Sequence, residues 1–409
     1  MTTSNQKGEF ARGWKVLLAA FLGMGVCIVS FSYYSSGIWI KPWQEEFGWS
    51  RTEIGTAQTL STLVLVLTAP LAGKLIDRYG LRLVATISLF LYGLALYAIS
   101  KMTGELWLLY ALFILMTLVA VASSPLAFTR AINAWFHKHK GLALGISLTS
   151  TGVAAFLIPK YLTPNVSEHG WRAGYLVLFS ILLVVIPIVW LLIRDNPPAM
   201  DNETGEGPIA LTGSTFQEAT KTRTFWQIAL IFLLISIAVV GLIPSFIPLL
   251  QDAGLSAAEA GSFAAILGAS VMLGRLLTGF LIDRIFAPYV TAVVFTLVAC
   301  GCLALGLGGI QYALVAAIAL GFAIGAEVDL IGYFTAKYFG LKNYGTIYGF
   351  QYSTFNFGAA ISPVLAGYIW DTTGNYDMAL IGAAILIGIA IIITLFLPKF
   401  PIPVSTKSI

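Results

Sequence analysis

Twelve predominantly apolar stretches run the length of the chain, near 14–40, 54–74, 83–101, 106–128, 141–163, 172–194, 226–250, 258–282, 288–308, 312–338, 344–370 and 378–398. Each is about the 20 residues that a helix needs to cross the hydrocarbon core, where the backbone must satisfy its own hydrogen bonds. Short polar or charged turns separate them. The first stretch carries Ser30, Tyr33, Tyr34 and Ser35, is too long and too polar for a cleavable signal, and is expected to stay in the mature protein. The pattern predicts an all-α integral membrane protein with twelve transmembrane helices, its principal partner being the lipid bilayer.

Composition adds the same constraint independently. The chain is 58% hydrophobic and 10% charged, with mean hydropathy +0.87, whereas a soluble domain carries about 25% charged residues. Basic residues set the orientation: with the N-terminus inside, 17 of the 23 Lys and Arg fall in inner segments, and Lys41, Arg51, Lys101, Lys160 and Arg172 fall outside together with Glu45, Glu46, Glu53, Glu105, Glu168, Asp252, Glu259, Asp371 and Asp377. Both termini are therefore expected in the cytoplasm, with the chain in a cell inner membrane. The net charge of +4 follows from that topology and calls for no nucleic-acid partner.

One motif occurs twice at half-chain spacing. Gly73-Lys-Leu-Ile-Asp-Arg-Tyr-Gly-Leu-Arg82 joins the second and third stretches, and Gly279-Phe-Leu-Ile-Asp-Arg284 follows the eighth. Glycine permits close approach of helix ends, the aspartate can face a helix N-terminus, and the arginine holds the turn at the cytoplasmic surface. Gly73, Asp77, Arg78, Gly80, Arg82, Asp283 and Arg284 are thus candidates for a conformational motif. The pattern resembles the loop 2–3 signature of the major facilitator superfamily. That resemblance implies two pseudo-symmetric six-helix halves around a central cavity, here 1–195 and 226–409, joined by a cytoplasmic linker over 196–225. The linker is polar and rich in Pro and Gly over 194–208, and a short surface helix is expected over 212–225.

After inner and outer residues are set aside, a single basic residue remains: Arg275, inside the eighth stretch. It lies about 12 Å from the cytoplasmic helix end, where a charge is costly unless it faces a watery cavity or a partner. As an anion receptor, its planar guanidinium would grip a carboxylate through two parallel hydrogen bonds; as a structural group, it would pair with Glu327 or Asp329 of helix ten. Those two carboxylates point about 200° apart on a helix, so they cannot share a face. One is expected in the cavity or on Arg275, the other against a neighbouring helix, and either is a candidate proton carrier, because desolvation disfavours the charged carboxylate.

Other polar residues inside the stretches are few. Tyr33 and Tyr34 in helix one, Ser123 in helix four, Ser147 in helix five, and Gln351, Tyr352 and Asn356 in helix eleven are candidate substrate contacts. Ser and Thr also bond their own helix backbone, and Tyr also marks the interface. Trp135-Phe-His-Lys-His-Lys-Gly-Leu-Ala-Leu-Gly145 is similar to the loop 4–5 signature of monocarboxylate transporters and oxalate–formate antiporters, and Arg275 stands where that group carries its helix-eight arginine. The resemblance implies transport of a small monocarboxylate such as lactate or pyruvate, by alternating access and with a proton. The chain departs from the pattern at Val271, where animal monocarboxylate carriers have an aspartate, near Gly37, where they have a lysine, and in helix eleven, which lacks the oxalate exchanger's lysine. One deep cation argues against a dicarboxylate.

Anion exchange of oxalate–formate type, drug efflux, and a membrane sensor on a carrier fold stand as alternatives; drug efflux leaves Arg275 unexplained, and no long signalling domain is present. Cys27, Cys300 and Cys302 have no metal spacing, His137, His139 and His169 lie in loops, and two glycosylation sequons, at Asn165 and Asn202, are common by chance. With no P-loop or HExxH the sequence indicates no metal, no cofactor, no enzyme activity and no ATP engine; a monomer driven by gradients or exchange is expected. Cysteines introduced at Lys138 or Glu203 should resist an impermeant thiol reagent added to intact cells; labelling there would reverse the orientation.

Overall fold

The computed structural model describes residues 9–136, 140–194, 213–282, 284–340 and 342–400. Sixteen α-helices occupy them: α1 (Glu9–Gly25), α2 (Tyr34–Phe47), α3 (Arg51–Tyr79), α4 (Leu81–Ser100), α5 (Leu106–Ala120), α6 (Pro125–Trp135), α7 (Lys140–His169), α8 (Trp171–Leu192), α9 (Phe216–Thr220), α10 (Arg223–Val239), α11 (Leu242–Asp252), α12 (Ala257–Ile282), α13 (Ala287–Gly308), α14 (Ala313–Phe339), α15 (Tyr344–Thr373) and α16 (Asp377–Leu395). Stacked end to end, α1 with α2, α5 with α6 and α10 with α11 each make one span, so the bundle has twelve spans in two halves of six. Among the described residues, eleven helical spans are long and apolar enough to cross a membrane. The remaining one, α15, has the length but is interrupted by polar groups from Gln351 to Asn356.

Spans one, four and seven are broken, and each break has a local cause and a local remedy. In lipid a freed backbone group must find a partner. The first span stops at Gly25 and resumes through a π-helical turn, Val29–Tyr33, where the Ser30 hydroxyl donates to the Met24 carbonyl at 2.6 Å. The fourth tightens into a short 3₁₀ turn, Val121–Ser123, before Pro125 opens the next helix, a position where its missing N–H costs nothing. In the seventh, the Gly241 amide donates to Ser362 Oγ at 2.7 Å. The expected surface helix before span seven is shorter than the sequence implied: α9 ends at Thr220 after a Thr215–Glu218 capping box, and α10 has already begun by Arg223. Most of the rest of the linker lies outside the described residues.

The halves meet along α7 with α12, α3 with α15, and α2 with α11. Small residues bring these backbones together. A side chain at Gly268 would collide with the backbone of Ala155 and Phe156, one at Gly261 with the Pro159 carbonyl and Thr163, and one at Gly367 with the backbone of Arg51 and Thr52. These approaches lie in the middle and toward the end of the bundle away from the basic loops. At the basic end, Gly73, Gly145, Gly279, Gly345 and Gly349 all face space. Gly279 therefore makes no close helix contact, unlike Gly268 and Gly274. The polar ties from Lys41 and Arg51 to Asp252, and from the Arg51 and Thr52 amides to Asp371, also lie at the end away from the basic loops, so the halves close on each other there, with the cleft between them toward the basic loops.

Overpacking a tight contact costs about 1–3 kcal/mol. Gly268→Val should therefore lower the melting temperature of the detergent-solubilised protein measurably, while Gly279→Val should leave it unchanged; equal shifts would show that the α7–α12 seam tolerates separation.

Candidate functional site

The centre of the cleft is set by a second small-residue seam. Gly321 and Gly325, four apart on α14, lie against the Leu267 and Val271 carbonyls of α12, and Gly274 of α12 lies against the Phe322 backbone of α14. Such spacing lets two helices touch backbone to backbone. The approach brings Asp329, one turn beyond Gly325, to Arg275, whose own amide borders the Gly325 position. Arg275 Nε lies 3.2 Å from Asp329 Oδ2, with the side chains 27% and 38% exposed. The contact is an ion pair without hydrogen-bond geometry at Nε. Among the described residues Asp329 is the only ion-pair partner of Arg275, and the two terminal amino groups of the fork make no hydrogen bond there.

Glu327 is placed differently, as its two-residue offset requires. It is 2% exposed, and its Oε1 has no hydrogen-bond partner among the described residues. Across from it, the π-helical turn of span one carries Tyr33 and leads into Tyr34, the two rings meeting edge to face at 5.4 Å. Tyr34 is within electrostatic reach of Arg275, Cys27 and Glu327, and Tyr33 within reach of Glu327. Tyr33 Oη also donates to the Val240 carbonyl, at 3.5 Å. The structure therefore gathers Arg275, Glu327, Asp329, Tyr33 and Tyr34 in one region.

The other predicted contacts bond to or stack on the protein itself. Ser123 Oγ donates to the Ala120 carbonyl and Ser147 Oγ to the Ala143 carbonyl, and both residues are fully buried. Gln351 is buried and donates through Nε2 to the Phe225 carbonyl at 3.0 Å, while Asn356 Nδ2 returns to its own helix at the Tyr352 carbonyl. Tyr352 is 39% exposed and belongs to a ladder that the sequence reading had not assembled: Tyr344, Tyr348, Tyr352 and Phe355 stack along one face of α15 with centroids 5.6, 5.8 and 6.2 Å apart. Their spacing of three or four residues is the available sequence signal. Tyr348 reaches Asp329 electrostatically, and Tyr344 Oη borders Gly332 of α14, so the ladder climbs from the basic end toward the ion pair.

The closed end holds a charge cluster that sequence reasoning treated only as topology. Arg51, 3% exposed, donates through Nε to Gln44 Oε1 at 2.9 Å and through Nη1 to Tyr376 Oη at 2.8 Å, pairs through Nη2 with Asp252 Oδ2 at 2.6 Å, and stacks 3.7 Å from the Trp370 ring. Lys41 Nζ pairs with Asp252 Oδ1 at 2.8 Å. Asp371 accepts from the Arg51 and Thr52 amides at 3.1 and 2.8 Å, so a carboxylate of the second half caps the first turn of α3 in the first half. Opposite charges at the same end of different halves were the signal that could have found this cluster.

At the basic end, Arg78, Arg82 and Arg284 of the motif each contact residues of their own half. Gly80 turns α3 into α4 at φ +85°, a backbone that side chains rarely adopt. Arg82 Nε donates to the Trp190 carbonyl at 2.8 Å and stacks on that ring; Arg284 donates to the Phe280 carbonyl and stacks on Phe280; Arg78 lies over Tyr79. A side chain at Gly73 would meet no neighbouring element. Asp283, His137 and His139 lie outside the described residues, as does the Asp77 side chain. Among the described residues no cluster of His, Cys, Asp or Glu could hold a metal.

A two-halved helical bundle with a central charged cleft, sealed at one end and open at the other, is the architecture of a membrane carrier. The family model described as Major Facilitator Superfamily matches residues 20–352, and the chain belongs to that family of transporters. It is 25% identical to monocarboxylate transporter 13 of Rattus norvegicus, over 94% of this chain and 89% of that protein. It is 26% identical to monocarboxylate transporter 11 of Homo sapiens, over 92% and 81%. Its fold matches the structure of a bacterial homologue of the human lysosomal transporter Spinster, in an inward-facing and occupied conformation, with TM-score 0.75, 16% identity and coverage of 94% and 97%. The chain is therefore a multi-pass membrane transporter acting on a small molecule, and neither the family nor these relatives indicate an enzyme.

Residues in contact couple by roughly 0.5–3 kcal/mol, and a half-buried charge left alone is costly. Arg275→Gln and Asp329→Asn should each destabilise the solubilised protein, and the double variant should recover part of the loss. Strict additivity in thermal unfolding would dissolve the pair.

Proposed function

We propose that this transporter carries a small monocarboxylate together with a proton, with the basic loops and both termini in the cytoplasm. The observation that carries the reading is the half-satisfied guanidinium of Arg275: Nε faces Asp329 Oδ2, and the two terminal amino groups are left for a ligand. A carboxylate bound there would make the paired hydrogen bonds that the planar fork favours. In the monocarboxylate carriers that the sequence resembles, an aspartate four residues earlier on the same helix accompanies the arginine. Here Val271 stands at that position and Asp329 supplies a carboxylate from α14. The relatives named as monocarboxylate transporters support the same substrate class.

The cycle follows from charge balance. An arriving carboxylate competes with Asp329 for Arg275, and two carboxylates on one guanidinium leave an excess negative charge that a proton relieves. Asp329, displaced from the cation, and Glu327, buried without a partner, are the two groups in the region that can take it. Tyr33 and Tyr34 offer hydroxyls near the polar end of the substrate, and the aromatic ladder of α15 suits its apolar tail. Reorientation of the halves then moves the site between the two faces of the membrane.

The test is uptake of labelled lactate, pyruvate, acetate and oxalate into proteoliposomes with and without an imposed pH gradient. Arg275→Lys should lose most transport of the preferred anion although the charge is kept, and Arg275→Gln should lose it as well. Asp329→Asn or Glu327→Gln should abolish pH-driven accumulation yet retain counterflow. Wild-type uptake by Arg275→Gln in folded protein would remove the anion-receptor role, and pH-driven accumulation in both carboxylate variants would point to exchange.

A further inference from the structure

We infer that Arg51 and the first turn of α3 form a second carboxylate site, which receives the substrate anion from the outer face before Arg275 does. This rests on the anion-carrier reading and adds a residue to it. In the structure this region is already a carboxylate receptor, and its occupants are the protein's own. The Arg51 fork holds Asp252, and the Arg51 and Thr52 amides hold Asp371, joined by the Thr52 hydroxyl at 2.5 Å. Guanidinium, two aligned amides and a hydroxyl are the groups that bind a free carboxylate.

Both occupants come from the second half, and so do Tyr376 and Trp370, whereas the receptor belongs to the first. Of all the partners of Arg51, only Gln44 shares its half. Alternating access requires the halves to part at this end, and parting removes Asp252, Asp371, Tyr376 and Trp370 together. A guanidinium that is 3% exposed in the closed state is then left facing the outer vestibule with its fork open. Gln58 and Ser245 line the small void beside it, among Ile40, Pro244 and Pro363. A substrate anion arriving from outside meets this cation first, and its carboxylate does what Asp252 and Asp371 do in the closed state. When the halves close again, the two aspartates displace the anion toward the cleft.

The two ends of the Arg51–Asp252 pair should therefore respond with opposite signs. A simple latch predicts that Arg51→Gln and Asp252→Asn both loosen the seal and shift the external KM the same way. A latch that is also a receptor predicts that Arg51→Gln raises the external KM about tenfold, the loss of one charged hydrogen-bonding partner, and that Asp252→Asn lowers it. KM for the preferred anion would be measured in right-side-out cells and in inverted vesicles, the inner-face value serving as the control for folding. Arg51→Lys, which keeps the charge but loses the fork, should raise the external KM less than Arg51→Gln, and decides the matter if the glutamine variant does not reach the membrane. Shifts of the same sign, or an unchanged external KM in Arg51→Lys, overturn the second site while leaving the carrier reading intact. Failure of the wild type to move any of the four anions overturns both.

Discussion

Backbone-to-backbone contact between helices is the constraint on which the rest of this bundle depends. In a bilayer no hydrophobic force drives helices together, because lipid tails are as apolar as leucine, so packing at short range must do it. Gly261 and Gly268 supply that contact between the halves, and Gly321 and Gly325 supply it between α14 and α12. The second seam has a chemical result, since it fixes the distance between Arg275 and Asp329. A bulkier residue at Gly325 would meet the Val271 carbonyl and the Arg275 amide, so position of charge and packing of helix are a single variable at this point.

The two buried or half-buried arginines show how the same side chain takes different roles according to how fully it is satisfied. Arg51 has a partner on every nitrogen of its fork and an aromatic ring on its face. Arg275 has one acidic neighbour and open nitrogens. A cation with all its partners in place seals, because separating it from them costs desolvated charge; one with partners missing is ready to bind, because a ligand completes it. The sealed end and the open cleft are thus written in the same chemistry.

Much of this was legible in the sequence. Span number, the doubled motif and the isolation of Arg275 all followed from apolar lengths and from counting Lys and Arg, because the membrane penalises charge so strongly that its exceptions stand out. The separate placement of Glu327 and Asp329 followed from helical angle alone. The identity of the acid beside Arg275 did not, since Glu327 and Asp329 were equally available until the α12–α14 approach was known. Ser123, Ser147, Gln351 and Asn356 share a residue type with cavity-lining groups, and one-dimensional order does not show that their hydrogen bonds close on neighbouring carbonyls. The Arg51 cluster was hidden for the same reason: Asp252, Asp371 and Tyr376 lie more than 200 residues away in the chain, and only the meeting of the halves brings them to it.

The π-helical turn at Val29–Tyr33 makes span one hold one residue more than a regular helix of that length would. Each residue of a helix turns the chain by about 100°, so the extra residue decides which way everything after it faces. Deleting a single residue between Ile28 and Ser32 would remove the π-helical insertion, yet would swing Tyr33, Tyr34 and the whole of α2 around the axis relative to α1. Trp39 would leave its stack on Tyr175, 4.2 Å away, and the tyrosine pair would turn from the cleft toward a neighbouring helix. A change that removes one local irregularity would therefore scramble the site, which makes this short turn a phase setting for the first span rather than an imperfection in it.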